Sequence, residues 1–215
     1  MSKEKIPVFD VGDTLTPARQ FSRRFFREEL VRQGIEDPPE YPFDGYNEYV
    51  VDSIQQWLVE EGIDADAEKM VRHYLDKKEK DMEERRVFET LRKVNENFET
   101  LGILSDNRMA AREWFIEIFD KHGVEFDTFL VSEEIGVKKP DRKIFQEFLD
   151  RRGVGGERCV YFGNRGDIDS ACQKVGINFV WVTEHDTFGT DWADVKIDEL
   201  KYGHVERAME EVETV

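Results

Sequence analysis

Two cysteines and four histidines in 215 residues leave little room for sulfur or imidazole chemistry. Cys159 and Cys172 show no CxxC spacing and lie in segments that read as a buried strand and a helix. They are expected to pack as small apolar groups, with a single disulfide as the alternative, and no disulfide framework is possible. His73, His122, His185 and His204 are scattered without metal-ligand spacing, so no zinc site is expected. No apolar run approaches the ~20 residues that span a bilayer. The start, "MSKEKIPVF", lacks the apolar stretch and small-residue cleavage site of a signal peptide, and a cytoplasmic location is the expectation. Positive charge is also short, with 31 Lys and Arg against 48 Asp and Glu and a formal net charge of −17. That balance argues against nucleic acid or an anionic membrane as the main partner. It describes a solvated acidic surface, of which adaptation to high salt is one cause. Internal repeats and low-complexity tracts are absent.

What the chain does have is alternation. From residue 101 onward, short apolar strands ("LGILS", 101–105; "TFLVS", 128–132; "CVYFG", 159–163; "NFVWVT", 178–183) are separated by amphipathic helical stretches. These stretches are "AAREWFIEIFDKHG", "RKIFQEFLDRRG" and a segment ending at Gly176. Strands of this type between helices of ten or more residues predict βαβ units and a doubly wound parallel sheet, an α/β fold. "PVFD" adds a strand at the N-terminus. Residues 16–84 differ: apolar residues recur at helical spacing in "FSRRFFREELVRQG", "YNEYVVDSIQQWLVEEG" and "AEKMVRHYLDKKEKDMEER", with "EDPPEYPFDG" as an interrupting loop. The length suits a core of residues 1–15 and 85–215 carrying an inserted all-helical module over 16–84.

In open α/β sheets, chemistry gathers at the carboxyl ends of the strands. Here each strand ends on something polar. Asp10 follows the first, Ser105 ends the second, Glu133 and Glu134 follow the third with Lys139 soon after, and Asn164 and Asp167 follow the fourth. Taken singly, Lys139 reads as a surface lysine, and Ser105 and Asp167 as helix N-caps. Their order behind Asp10 favours one shared site.

"VFDVGDTL", "LGILSDN", "GVKKPDRKIF" and "YFGNRGDIDSA" resemble, in order and spacing, the four motifs of the haloacid dehalogenase superfamily of hydrolases, which are mostly phosphatases. The 16–84 insertion falls where that family places a helical cap. The resemblance implies a Rossmann-like core and a nucleophilic Asp10 that forms an aspartyl-phosphate, dividing one hard displacement into two easier ones. It implies that Ser105, Asp106 and Lys139 hold the phosphate, since phosphoryl transfer needs its negative charge neutralised. It further implies Mg²⁺ held by Asp10, the Gly12 carbonyl, Asn164 and Asp167, and a small phosphorylated substrate. The oligomeric state stays open.

The pattern is broken in two places. Thr14 lies four residues after Asp10, as in the family's D-x-D-x-T motif, so Gly12 stands where phosphatases carry a general acid and base. Asp13 is displaced by one, into a position that is commonly glycine. A positioned acid/base group typically contributes ~10²–10⁴-fold in rate. In the fourth motif Asn164 replaces the usual aspartate, and Asp167, placed nearer the strand, competes with Asp169 for the role of second acid. An N-x-x-D arrangement also resembles the metal-independent 2-haloacid dehalogenase branch, although that branch's aromatic and arginine-containing cap sequence is missing. Alternative readings are therefore a dehalogenase, or a binding protein that has lost turnover. Hinges are expected near Thr16–Pro17 and Arg85–Arg86. Arg19, Arg23 and Arg24 either reach a substrate anion or pair with surface acids.

Overall fold

A computed structural model describes residues 4–42, 47–184 and 193–212. Six parallel strands form one sheet: β1 (Ile6–Phe9), β2 (Gly102–Ser105), β3 (Thr128–Val131), β4 (Cys159–Gly163), β5 (Asn178–Val182) and β6 (Val195–Ile197). Their spatial order is β3-β2-β1-β4-β5-β6, so the direction of winding reverses between β1 and β4. That reversal opens a crevice beyond the strand ends, which is where such sheets bind ligands.

The apolar strands expected from sequence recur within a residue or two, and period-2 alternation explains how a continuous apolar run covers both faces. Phe9, Ile103, Phe129, Val131, Val160, Phe162 and Val180 point to one face. They pack under α4 (Val87–Asn97), α5 (Met109–Lys121) and α9 (Tyr202–Glu211). Ile6, Val8, Leu104, Leu130, Cys159, Tyr161 and Phe179 point to the other, against α7 (Arg142–Arg152). Both cysteines are free and buried in this second layer, so the disulfide alternative does not hold. The short helix α6 (Ser132–Ile135) follows β3 directly, α8 (Gly166–Asp169) follows β4 after two residues, and a 3₁₀ segment, Ser170–Val175, takes the place of the longer helix expected before Gly176.

Between β1 and β2 lie α1 (Arg19–Arg32), α2 (Val51–Glu60) and α3 (Ala67–Glu84). Asp66 caps α3 by accepting from the Lys69 N–H at 2.9 Å, satisfying one of the donors that a helix start leaves open. These helices bury a cluster of their own: Phe25, Phe26, Leu30, Tyr41, Ile54, Trp57, Leu58, Met70 and Tyr74. Phe26 stacks on Tyr41 at 4.3 Å and on Tyr74 at 5.3 Å. Tyr74 OH meets Ser22 Oγ at 2.8 Å inside the cluster.

Since Phe26 is fully buried and central to that cluster, Phe26→Ala is expected to cost about 3–5 kcal/mol. Urea unfolding followed by helical circular dichroism measures it, and a loss under ~1 kcal/mol would show that the three helices do not depend on this core.

Candidate active site

The loop after β1 is built around Asp10. Its N–H continues the ladder by donating to the Phe162 carbonyl at 2.9 Å, so the side chain is delivered at the sheet's edge, where it is 6% exposed. The chain then folds back: the N–H groups of Leu15 and Thr16 both donate to the Val11 carbonyl, at 2.9 and 3.1 Å. Asp13 takes a left-handed conformation, φ 55°, which aspartate tolerates better than most residues. Its carboxylate accepts from the Ala18 N–H at 2.7 Å, so it serves the loop rather than the space in front of Asp10.

Lys139 comes from the loop between α6 and α7 and is buried. Its Nζ lies 3.0 Å from Asp10 Oδ2 and 2.7 Å from Asp169 Oδ1. It also donates to Tyr161 OH at 2.9 Å, and that hydroxyl donates onward to the Leu104 carbonyl at 3.0 Å. Burial alone would lower the lysine's pKa, but the Asp10 and Asp169 carboxylates outweigh it and hold the ammonium well above its ordinary value. For Asp169 the balance runs the other way: burial pushes the carboxyl up, to about 6, against the pull of Lys139.

The acid beside Lys139 is thus Asp169, whereas the sequence reading places Asp167 first. Asp167 is exposed and forms a two-pronged pair with Arg165, Nε to Oδ1 being 3.0 Å. The cause is local. α8 is a single turn, so residues two apart point in different directions. Asp169 Oδ2 accepts from the Arg165 N–H at 2.8 Å, fixing which way the turn faces. Gly163 makes room, since a Cβ there would lie 2.5 Å from Asp169 Oδ2.

Ser105 ends β2 and Asn164 directly follows β4, the two strands flanking β1, and both residues are buried. In the loop after β1, Thr14 Oγ1 and Thr16 Oγ1 are buried without a hydrogen-bond partner, and the side chains of Ser105 and Asn164 are engaged by no described residue. Buried polar groups are ordinarily paired. Two such atoms in the loop that carries Asp10, with the open side chains of Ser105 and Asn164 near the neighbouring strand ends, fit a polar ligand. Asp106 is partly committed elsewhere, accepting from the Lys139 N–H at 3.0 Å, and burial raises its carboxyl despite that lysine. For a magnesium ion the donors are all oxygen: the Asp10 carboxylate, the Asn164 side-chain oxygen and the Gly12 carbonyl. They fit a hard cation that keeps several waters, with a single formal negative charge among them.

The helical segment is tied to this loop by Arg85, just past α3. Its guanidinium donates to Glu184 through Nε at 3.0 Å and Nη2 at 2.7 Å, and to the Leu15 carbonyl at 3.1 Å. Arg86 follows in a left-handed conformation, φ 59°. Neither this clamp nor the Tyr161 link is marked by any motif. The signal for Tyr161 is one hydroxyl in an otherwise apolar central strand. Arg23 and Arg24 are exposed on α1, and Arg24 approaches Glu28 at 4.0 Å, which favours their surface reading.

Residues 8–182 match the model of the haloacid dehalogenase-like hydrolases, and the chain belongs to that family. A curated relative, the glyceraldehyde 3-phosphate phosphatase of Methanopyrus kandleri, is 39% identical over 85 residues, a stretch covering 39% of this chain and 35% of that protein. The one from Methanothermobacter thermautotrophicus is 37% identical over 71 residues, 32% of this chain and 30% of its own length. The chain therefore aligns with about a third of each. Among solved structures, a HAD phosphatase from Thermococcus onnurineus superposes with a TM-score of 0.59 at 19% identity, over 95% of this chain and 97% of that one. A 2-haloacid dehalogenase from Pseudomonas syringae pv. Tomato does so with 0.57 at 22% identity, over 98% of each. Such likenesses extend to phosphatases and dehalogenases alike and establish the fold.

Because a methyl group at residue 163 would collide with a fixed carboxylate, Gly163→Ala is expected to destabilise the protein by about 1–3 kcal/mol. Chemical denaturation decides this, and unchanged stability would mean that Asp169 can step aside without cost.

Proposed function

We propose that the protein is a phosphatase of small phosphate monoesters in which Asp10 attacks phosphorus and carries the phosphoryl group as an aspartyl-phosphate. The observation that carries this reading is the Lys139 ammonium lying 3.0 Å from Asp10 at the carboxyl edge of the sheet, beside polar atoms of Ser105, Asn164 and Thr14 that no described residue satisfies. A nucleophile, a fixed cation and a hydroxyl are the groups that phosphoryl transfer requires. In this reading Lys139 and Ser105 bind the non-bridging oxygens, Asp106 borders them, and Asp169 positions Lys139 without touching substrate. Asp10, the Gly12 carbonyl and Asn164 hold Mg²⁺, which when bound neutralises phosphoryl charge. Asp167, paired with Arg165, contributes only if that pair opens. Residues 16–84 act as a cap over the site, hinged at Thr16–Pro17 and Arg85–Arg86. The glyceraldehyde 3-phosphate phosphatase name of the archaeal relatives supports a small phosphorylated substrate.

The reading is tested by hydrolysis of an aryl phosphate with and without Mg²⁺, using Asp10→Asn as the control. Loss of the nucleophile is expected to reduce turnover to the background rate, and removal of the metal by EDTA to lower it strongly. Equal rates for the two proteins would overturn the assignment. Chloride release from 2-chloropropionate in the absence of metal would replace it with dehalogenation.

A second outcome follows from Gly12. Its backbone is not left-handed, and a Cβ built on it would meet only the Ala18 Cβ at 3.5 Å, an ordinary contact. Gly12→Asp is therefore expected to fold and to accelerate release of phosphate from the aspartyl-phosphate, by up to ~10²–10⁴-fold, the usual contribution of a positioned acid/base. Single-turnover measurements separate that step from the first. An unchanged second step would show that another group already supplies the proton transfers.

A further inference from the structure

Away from the strand ends, α3 and the end of α5 bring three metal-ligating side chains together. Glu79 and Glu83 are one turn apart on α3, and His122 immediately follows α5. His122 Nε2 lies 2.7 Å from Glu79 Oε1 and 3.8 Å from Glu83 Oε1, and one ligand atom from each of the three falls within 4.8 Å of the others. We propose that Glu79, Glu83 and His122 form a binding site for a divalent transition-metal ion of the Zn²⁺ type, joining the inserted helices to the α/β core.

Three observations carry it. The donor set, two carboxylates and an imidazole, is one that zinc accepts with water in the fourth position. The carboxylates are spaced i,i+4, which places both on one face of the helix. The imidazole is also held in place before any ion arrives. The ring lies flat on Phe88, with centroids 3.9 Å apart and planes within 3°, and the His122 backbone carbonyl accepts from Arg92 Nη1 at 2.6 Å. Phe88 is itself buried in the core. A preorganised ligand loses less freedom on binding.

One competitor is present. Lys121 Nζ sits 2.7 Å from Glu79 Oε1 but is 63% exposed, so it can swing into solvent as the ion enters. Bound metal would cross-link the last two turns of α3 to α5 just ahead of Arg85, and so stiffen the connection at which the insertion meets the core. This inference does not depend on the phosphatase reading, because it concerns residues of neither the Asp10 loop nor the strand ends.

The test uses tag-free full-length protein freed of metal and then held in excess Mg²⁺, so that oxygen-only sites are already occupied. Zn²⁺ is titrated in by calorimetry, and the thermal midpoint is recorded with and without it. Wild type is expected to take one equivalent and to melt at a higher temperature. Glu83→Gln, at a half-exposed position, is expected to keep the metal-free midpoint and to weaken Zn²⁺ at least ~10-fold, no less than loss of an outer-shell partner costs. His122→Gln is expected to abolish binding. The proposal is overturned if wild type binds no Zn²⁺ under these conditions, or if both variants bind it as wild type does.

Discussion

Lys139 Nζ stands between Asp10 and Asp169 with its side chain 1% exposed, and the rest of the strand-end architecture depends on that contact. An ammonium this deeply buried is tolerable only because carboxylates and a phenol satisfy it. Removing one partner of such a cluster typically costs ~3–5 kcal/mol, because the remaining charge is left unpaired. The lysine and the two aspartates therefore fix one another, and Asp10 is presented in a single orientation without help from a bound ligand. Preorganisation of this kind is what electrostatic catalysis draws on.

The same cluster sets a charge problem. One ammonium faces two carboxylates, so the group is net negative before any anion approaches. Asp169 takes up much of the lysine's attraction, and a phosphate brought against Asp10 would need positive charge from elsewhere. In the proposed reading that charge comes from the small cation held by the Asp10 carboxylate, the Asn164 side-chain oxygen and the Gly12 carbonyl. The acidic balance of the whole chain, −17, works in the same direction, since a negative surface favours cations over anions.

Most of the sheet could be read before any coordinates because its signals are local. Apolar runs of four or five residues separated by longer amphipathic stretches have few other solutions, and β4 recurs with the bounds expected, 159–163. What escaped has physical causes. β6 is three residues long and carries the exposed Lys196 at its centre, too little pattern to register. α4 is marked only by Val87, Phe88, Leu91 and Val94 along one buried helical face. That Asp169 rather than Asp167 meets Lys139 rests on a backbone N–H at Arg165 and on the missing side chain at Gly163, neither of which is visible as a motif. Glu79 and His122 are 43 residues apart, and only the packing of α3 beside α5 makes them neighbours.

The carboxylate of Asp13 serves the loop in which it stands. At 13 the chain must turn left-handed, which costs a residue with a Cβ roughly 1 kcal/mol, less for aspartate. The hydrogen bond from Ala18 N–H to the Asp13 carboxylate offsets that cost and pins the loop to the segment leading into α1. Arg85 grips the same loop from the other end of the insertion through the Leu15 carbonyl. The helical segment thus enters and leaves by way of the loop that carries Asp10, and any movement of that segment is felt where the chemistry is proposed to occur. The Asp13 carboxylate is part of that attachment.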